Sequence, residues 1–268
     1  MQTIIITGAS DGIGAELARQ LAHQQGADVH LVLAARQQTL LKEVASACQA
    51  LGASVSVVPT DVSDPQQCRQ LIDTTVAQCG GIDVLINNAG VSAHALLSEV
   101  HADDLVWYES LMRVNFWGSV WCTHAALPHV RARQGRIVAV SSLAGLVGVP
   151  GRTAYSASKF AMTGFFEALR SELMGSGVSV TTAYPGVVDT RIRVNGLNAK
   201  GQTAGTSGLK EDRAMPVAEC AALILQGMWA REREVVMTWQ GKLGRWLKLM
   251  APDLVDKMAW AALKTPQK

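Results

Sequence analysis

No stretch of this chain reaches the roughly 18 consecutive apolar residues that a membrane-crossing helix needs, so a spanning protein is not expected. The opening residues, MQTIIITGAS, have neither the basic stretch nor the long apolar centre of a secretion signal. Cysteine is sparse and unpaired. Cys48, Cys68, Cys79, Cys122 and Cys220 make five, an odd number, and no two stand as CxxC. That pattern speaks against a disulfide framework and against a zinc site, and it suits a reducing compartment, so the cytoplasm is the expected location. Charge is also low, 17% of residues with a net of +2. With no Lys/Arg cluster and no nucleic-acid-binding motif, DNA and RNA are not expected partners. His94, His101, His124 and His129 do not fall at ligand spacings and read as ordinary helix or loop residues, so no metal is expected. Ser141 and Ser142 sit in VSSLAG rather than in a GxSxG elbow, which removes a serine hydrolase.

What remains is a chain rich enough to build a core. Of its 268 residues 49% are apolar, and no composition shift marks a linker, so one domain is expected. Short apolar runs alternate with helical periodicity along its length. Thr3 to Thr7 reads as a strand, followed by a glycine turn and a helix from Ile13 to Gln25. Val29 to Leu33 is a second strand and Thr39 to Leu51 a second helix, closed by Gly52. Val55 to Val58 follows, then a helix to Cys79 with Asp64 as N-cap and Pro65 at its first position. Later strands are expected at Val84 to Ile86, Ile137 to Val140, Val178 to Ala183 and Val235 to Thr238. Between them lie a long helical region from Asp103 to Val130, read as one helix or two, and a helix from Tyr155 to Met174. Strands apolar on both faces and joined by helices predict an α/β fold with a doubly wound, mostly parallel sheet.

The turn after the first strand, TGASDGIG, sets Gly8, Gly12 and Gly14 where backbone N–H groups and a helix N-terminus can face a diphosphate. Its spacing is GxxxGxG, and glycines also serve ordinary tight turns.

Together with NNAG at Asn87 to Gly90 and YxxxK at Tyr155 to Lys159, this turn resembles the short-chain dehydrogenase/reductase family, over about residues 1–240. Asp61, Asn115, the Ser141-Ser142 pair and Pro185-Gly186 with Thr190 fit the same pattern. The resemblance implies a Rossmann-like oxidoreductase that moves a hydride between a nicotinamide dinucleotide and a carbonyl or alcohol carbon. It assigns Gly8, Ser10, Asp11, Gly12, Ile13 and Gly14 to the diphosphate turn. Asp61 and Val62 go to the adenine, Asn88, Ala89 and Gly90 to a ribose, and Pro185, Gly186, Val188 and Thr190 to the nicotinamide amide. At the end of the second strand stand Ala34, Ala35 and Arg36 with no acid. A guanidinium suits a 2′-phosphate, which favours NADP(H), while Asp11 just before a glycine does nothing to hold that phosphate and keeps NAD(H) as the alternative.

The catalytic reading starts from chemistry. Reducing a ketone needs a proton donor at the developing alkoxide, and a phenol with an ordinary pKa of about 10 needs a nearby positive charge to exchange its proton at neutral pH. Lys159 lies four residues after Tyr155, on the same helix face. The resemblance adds Ser142, thirteen residues before Tyr155, to polarise the substrate oxygen, and Asn115 to hold a water behind the lysine. The expected tetrad is therefore Asn115, Ser142, Tyr155 and Lys159, with Tyr155 and Lys159 also meeting the dinucleotide.

Residues 191–214, rich in Gly, Asn, Thr and Ser, read as a mobile lid over the substrate. Residues 241–268 carry Leu243, Trp246, Leu247 and Met250 at helical spacing among Lys242, Arg245 and Lys248. Such a basic amphipathic extension either packs on the domain or an interface, or touches a membrane surface peripherally. The run VSSLAG…YSASKFAMTGFFEALR looks most like relatives acting on hydroxysteroids or other bulky lipophilic ketones. A homodimer or homotetramer is implied by the resemblance, and a non-catalytic dinucleotide sensor is the reading from a different class.

Overall fold

The computed structural model describes residues 1–205 and 214–263. Strands β1 (Gln2–Thr7), β2 (Val29–Ala35), β3 (Ser54–Pro59), β4 (Val84–Asn87), β5 (Arg136–Val140), β6 (Ser179–Tyr184) and β7 (Glu234–Val236) form one sheet in the order β3-β2-β1-β4-β5-β6-β7. Every neighbouring pair is parallel. The helices are α1 (Gly12–Gln25), α2 (Gln38–Ala50), α3 (Pro65–Cys79), α4 (Val106–Met112), α5 (Gly118–Ala132), α6 (Thr153–Glu172), α7 (Val217–Trp229), α8 (Trp239–Met250) and α9 (Pro252–Leu263).

Because side chains alternate across a strand, Ile4 and Ile6 of β1 point to one face and Ile5 to the other. Ile4 and Ile6 pack with Leu17 and Leu21 of α1, Leu41 of α2 and Ile224 of α7. Ile5 packs with Leu71 and Ile72 of α3, Ala126 of α5 and Phe166 of α6. Both faces are covered, which is why these strands are apolar throughout rather than alternating. The chain winds outward from β1 to β3, returns to β4 beside β1, and winds the other way. The crevice outside the C-terminal ends of β1 and β4 is the switch point at which such sheets bind ligands.

Most expected elements are present with ends shifted by one or two residues, including the Asp64 cap, whose carboxylate accepts from the N–H groups of Gln66 and Gln67 at 2.8 and 3.4 Å. Two features differ. Helix α7 was not anticipated, although its buried Cys220, Ala221, Ile224, Leu225 and Met228 recur at helical spacing and its opposite side, with Ala218, Glu219, Ala222 and Gln226, is exposed. The region 103–130 is one helical run with a change of pitch, in which a π-helical turn, Arg113–Trp117, joins α4 to α5. Such a turn inserts an extra residue into the helix and re-aims the side chains on it.

The C-terminal extension is fixed on one side. A side chain at Gly241 would meet Leu143, Val255 is buried, Arg245 pairs with Glu234, and Lys248 donates to the Leu146 carbonyl at 3.2 Å. Its other side leaves Trp239, Trp246, Leu249 and Met250 between 68% and 84% exposed.

Candidate active site

A cavity of about 550 Å³ opens at the switch point. Of the residues expected to meet a dinucleotide, all but Gly14 line it. The glycine turn is built by sterics. Gly8 and Gly12 adopt φ of +67° and +54°, which only glycine takes without penalty. A Cβ on Gly8 would lie 2.8 Å from the Ala89 Cα. Gly14 stands outside the lining because its role is to let α1 approach the turn: a Cβ there would sit 2.5 Å from the Asn88 Nδ2 and even closer to the Gly8 carbonyl oxygen.

Asn88 locks that turn to the end of β4. Its amide donates to the Thr7 and Gly8 carbonyls at 3.0 and 3.2 Å, while its own N–H and that of Ala89 donate to the Thr7 hydroxyl, both at 3.1 Å. Thr7 was not singled out in the sequence as a site residue, yet it ties β1 to β4 directly beneath the cradle. Asp11 caps α1, accepting from the Gly12 N–H at 2.7 Å. Asp61 accepts from the N–H and hydroxyl of Ser63 at 2.9 and 2.7 Å. Both carboxylates therefore face the cavity while holding a turn. Arg36 is exposed at the cavity edge directly after β2.

At the other end, α6 presents Tyr155 and Lys159. Lys159 is only 3% exposed and donates from Nζ to the Val140 carbonyl at 3.0 Å, which fixes the ammonium at the end of β5. Nζ lies 5.8 Å from the centre of the Tyr155 ring. Burial pushes the Lys159 ammonium below its ordinary range, the charge of Arg152 pushes the same way, and Tyr155 opposes them. Ser142 lines the cavity; its Oγ accepts from the Ala144 N–H at 3.2 Å and contacts the Pro185 carbonyl at 3.5 Å. Ser141 also lines the cavity, but its hydroxyl donates to the Lys159 carbonyl at 3.2 Å, so it serves α6.

Asn115 is fully buried on the π-helical turn and stays outside the cavity lining. Its amide donates to the Val91 carbonyl and the Ser158 hydroxyl, both at 3.0 Å, and its Oδ1 accepts from the Val91 N–H at 2.8 Å. A side chain at Gly90 would come within 3.3 Å of that Oδ1 and 3.7 Å of the Lys159 Nζ, so Asn115 and Lys159 flank the same glycine. The π-helical turn thus brings Asn115 to the segment behind the lysine.

Arg152 was missed. It lies three residues before Tyr155, a spacing that shares a helix face, and that was the available signal. Its guanidinium stacks on the Tyr155 ring at 4.2 Å, contacts the Ser92 hydroxyl, and donates to the Ala93 carbonyl at 3.4 Å.

Of the segment expected to be a lid, 191–205 is described and borders this end, where Arg191, Ile192, Arg193, Asn195 and Thr203 line the cavity. It is hydrogen-bonded to the segment after β4, with Leu197 N–H to the Ser92 carbonyl and His94 N–H to the Leu197 carbonyl, both at 2.9 Å. Trp107 donates to the Ala199 carbonyl at 3.2 Å. The remainder of the expected lid, 206–213, lies outside the described residues, as do the last five of the tail.

Residues 2–200 match the family described as short chain dehydrogenase. The chain belongs to the short-chain dehydrogenase/reductase family. Within this family of oxidoreductases it falls in the hydroxysteroid-dehydrogenase-like branch. It is 34% identical to 11-beta-hydroxysteroid dehydrogenase 1A of Arabidopsis thaliana over 262 residues, covering 95% of this chain and 73% of that protein. It is 36% identical to 11-beta-hydroxysteroid dehydrogenase of Pinus massoniana over 265 residues, covering 95% and 72%. Among solved structures, a short chain dehydrogenase/reductase from Burkholderia phymatum in complex with NAD superposes with a TM-score of 0.80 at 26% identity, covering 94% of each chain. An alcohol dehydrogenase from Thermococcus sibiricus, complexed with 5-hydroxy-NADP, shares the fold with a TM-score of 0.73 at 23% identity, covering 88% of this chain and 94% of that one.

Proposed function

We propose that this short-chain dehydrogenase/reductase is an NADP(H)-dependent enzyme that interconverts a carbonyl and a secondary alcohol on a bulky or lipophilic substrate, with Tyr155 as the general acid and base. The observation that carries the reading is the common cavity: the cradle of Gly8 and Gly12, the Arg36 guanidinium, and Tyr155 with Ser142 and Lys159 all face one space. The residues fit the cofactor. The turn at Gly8 to Ile13 would take the diphosphate, Arg36 the 2′-phosphate, Asp61 and Val62 the adenine, Asn88 to Gly90 a ribose, and Pro185 to Thr190 the nicotinamide amide. When bound, the dinucleotide supplies or accepts the hydride.

In the reductive direction the substrate carbonyl oxygen accepts hydrogen bonds from the Tyr155 and Ser142 hydroxyls. Tyr155 then gives its proton to that oxygen as charge develops there. The Lys159 ammonium stabilises the phenolate left behind, and Asn115 holds the backbone after Gly90 so that a water can reach the lysine. NAD(H) is the second reading, favoured by Asp11, which offers nothing to hold a 2′-phosphate, and by the bound NAD of the Burkholderia phymatum relative.

We place the protein in the cytoplasm, in keeping with five free cysteines. Homodimer or homotetramer formation is supported by two exposed apolar faces. One is where the π-helical turn runs into α5, with Trp117 44% exposed and stacked on Trp121 of α5; the other is the α8 stripe of Trp239, Leu243 and Trp246. Replacing Trp239 and Trp246 together by serine should lower the sedimenting mass. Loss of liposome binding with the mass unchanged would assign the stripe to a membrane surface instead.

The test of the reaction is a panel of ketones and alcohols with both dinucleotides, followed by nicotinamide absorbance, on the parent and on Tyr155→Phe. Turnover should fall by about 10²- to 10⁴-fold in the variant while dinucleotide affinity is retained. Full activity in Tyr155→Phe would refute the role, and tight dinucleotide binding with no turnover by the parent on any substrate would mark a sensor.

A further inference from the structure

The Arg152 guanidinium cannot shed its charge near neutral pH, and a charge withdrawn from water is normally matched by an opposite one. Here it is not. Arg152 is half-buried. Its partners are neutral: the Ser92 hydroxyl, the Ala93 carbonyl and the face of Tyr155. Burial pulls its pKa down, the nearby Arg193 pulls the same way, and only Tyr155 opposes them; among the described residues no carboxylate does. The two acids that line the cavity, Asp11 and Asp61, are held at the far end by the N-terminus of α1 and the turn after β3. The lining around Tyr155 carries the guanidinium groups of Arg152 and Arg191, and no acid stands among the described residues that line this end.

Position adds to charge. The guanidinium lies 4.2 Å over the ring that would give the substrate its proton. A compound whose oxygen accepts from the Tyr155 hydroxyl thus passes directly alongside Arg152, within a few bonds of its reacting carbon.

Resting on the carbonyl-reductase reading above, we propose that Arg152 receives a carboxylate of the substrate, so that the enzyme acts on oxo acids and the corresponding hydroxy acids. A planar guanidinium fork matches a carboxylate through two parallel hydrogen bonds, and its remaining donors stay with Ser92 and Ala93. The substrate anion then supplies the counter-charge that the described residues around Arg152 do not. The bulky part of the molecule lies against Val91, Val114 and Ile192 of the same lining.

The experiment is calorimetric binding to the dinucleotide-loaded, full-length protein, using benzoylformate against benzoylformamide and benzoylacetate against benzoylacetamide. In at least one pair the acid should bind on the order of 10- to 100-fold more tightly than the amide. That ratio should fall to near unity in Arg152→Gln and to an intermediate value in Arg152→Lys. Equal or tighter binding of the amides by the parent protein overturns the proposal without any variant, so misfolding of Arg152→Gln cannot shield it. A ratio unchanged in a folded Arg152→Gln overturns it as well. Acid-selective binding with no turnover would sink the oxidoreductase reading and leave Arg152 standing, whereas turnover of both members of each pair with no acid preference would do the reverse.

Discussion

Replacing Gly14 by alanine tests whether the cradle is held by close approach of backbone rather than by the glycine count alone. The added Cβ would stand 2.5 Å from the Asn88 Nδ2 and 2.9 Å from the Gly8 carbonyl carbon. Neither neighbour is the end of a free side chain. Asn88 can withdraw only by giving up its bonds to the Thr7 and Gly8 carbonyls, which cost about 1 kcal/mol each, and the alternative is to push α1 away from the sheet. Overpacking of this kind costs about 1–3 kcal/mol by itself, so with the two lost bonds a total of about 3–5 kcal/mol is expected. For a domain of this size that corresponds to a fall of about 6–10 °C in Tm. Because Gly8 moves with the turn, dinucleotide affinity should also drop by about 10- to 100-fold. Gly164→Ala provides the control. It lies inside α6 with open space around its would-be side chain, and the change should be neutral or stabilise by up to about 1 kcal/mol. Thermal unfolding and fluorescence titration with the dinucleotide measure both quantities. A Gly14→Ala protein with the parent's Tm and affinity would refute the close-approach argument.

Two further outcomes are expected. Arg36→Asp should lower kcat/KM with NADPH by about 10- to 100-fold and leave NADH little changed, because a guanidinium–phosphate pair is lost and a like charge is introduced; equal efficiency of the parent with both cofactors would defeat the assignment. Burial pushes the Cys48 thiol up to about 11 and the Cys220 thiol up to about 12. The folded chain keeps these protons where the unfolded chain, at an ordinary 9.0, releases them. Their contribution is therefore complete below pH 9 and declines as pH rises from there towards the folded values, by about 1.4 kcal/mol per pH unit for each thiol. Denaturant titrations between pH 8 and 10 should show this decline, reduced in Cys220→Ala; rapid labelling of either thiol in the native protein at pH 8 would contradict the burial.

The features that could be read directly from the chain are those whose physics acts over a few residues. The glycine turn, the Asp64 cap and the i, i+4 relation of Tyr155 to Lys159 depend on local backbone geometry, and the alternation of apolar runs with helical stripes gave the parallel sheet. Helix α7 carries the same kind of local signal, with Cys220, Ala221, Ile224, Leu225 and Met228 at helical spacing, and was overlooked rather than hidden. Arg152 escaped because its meaning lies in what surrounds it.

The local pattern of this sequence determined the layers, the phosphate cradle and the Tyr155–Lys159 spacing, since each is set within one or two turns of chain. Tertiary structure alone decided that Gly14 clears Asn88, 74 positions away, and that Asn115 grips Val91 across 24 positions. It also decided that Arg152 meets Ser92 across 60 positions with no acid beside it among the described residues. These contacts join segments brought together by the parallel crossovers, and a side chain's charge balance and packing depend on neighbours that no local periodicity encodes.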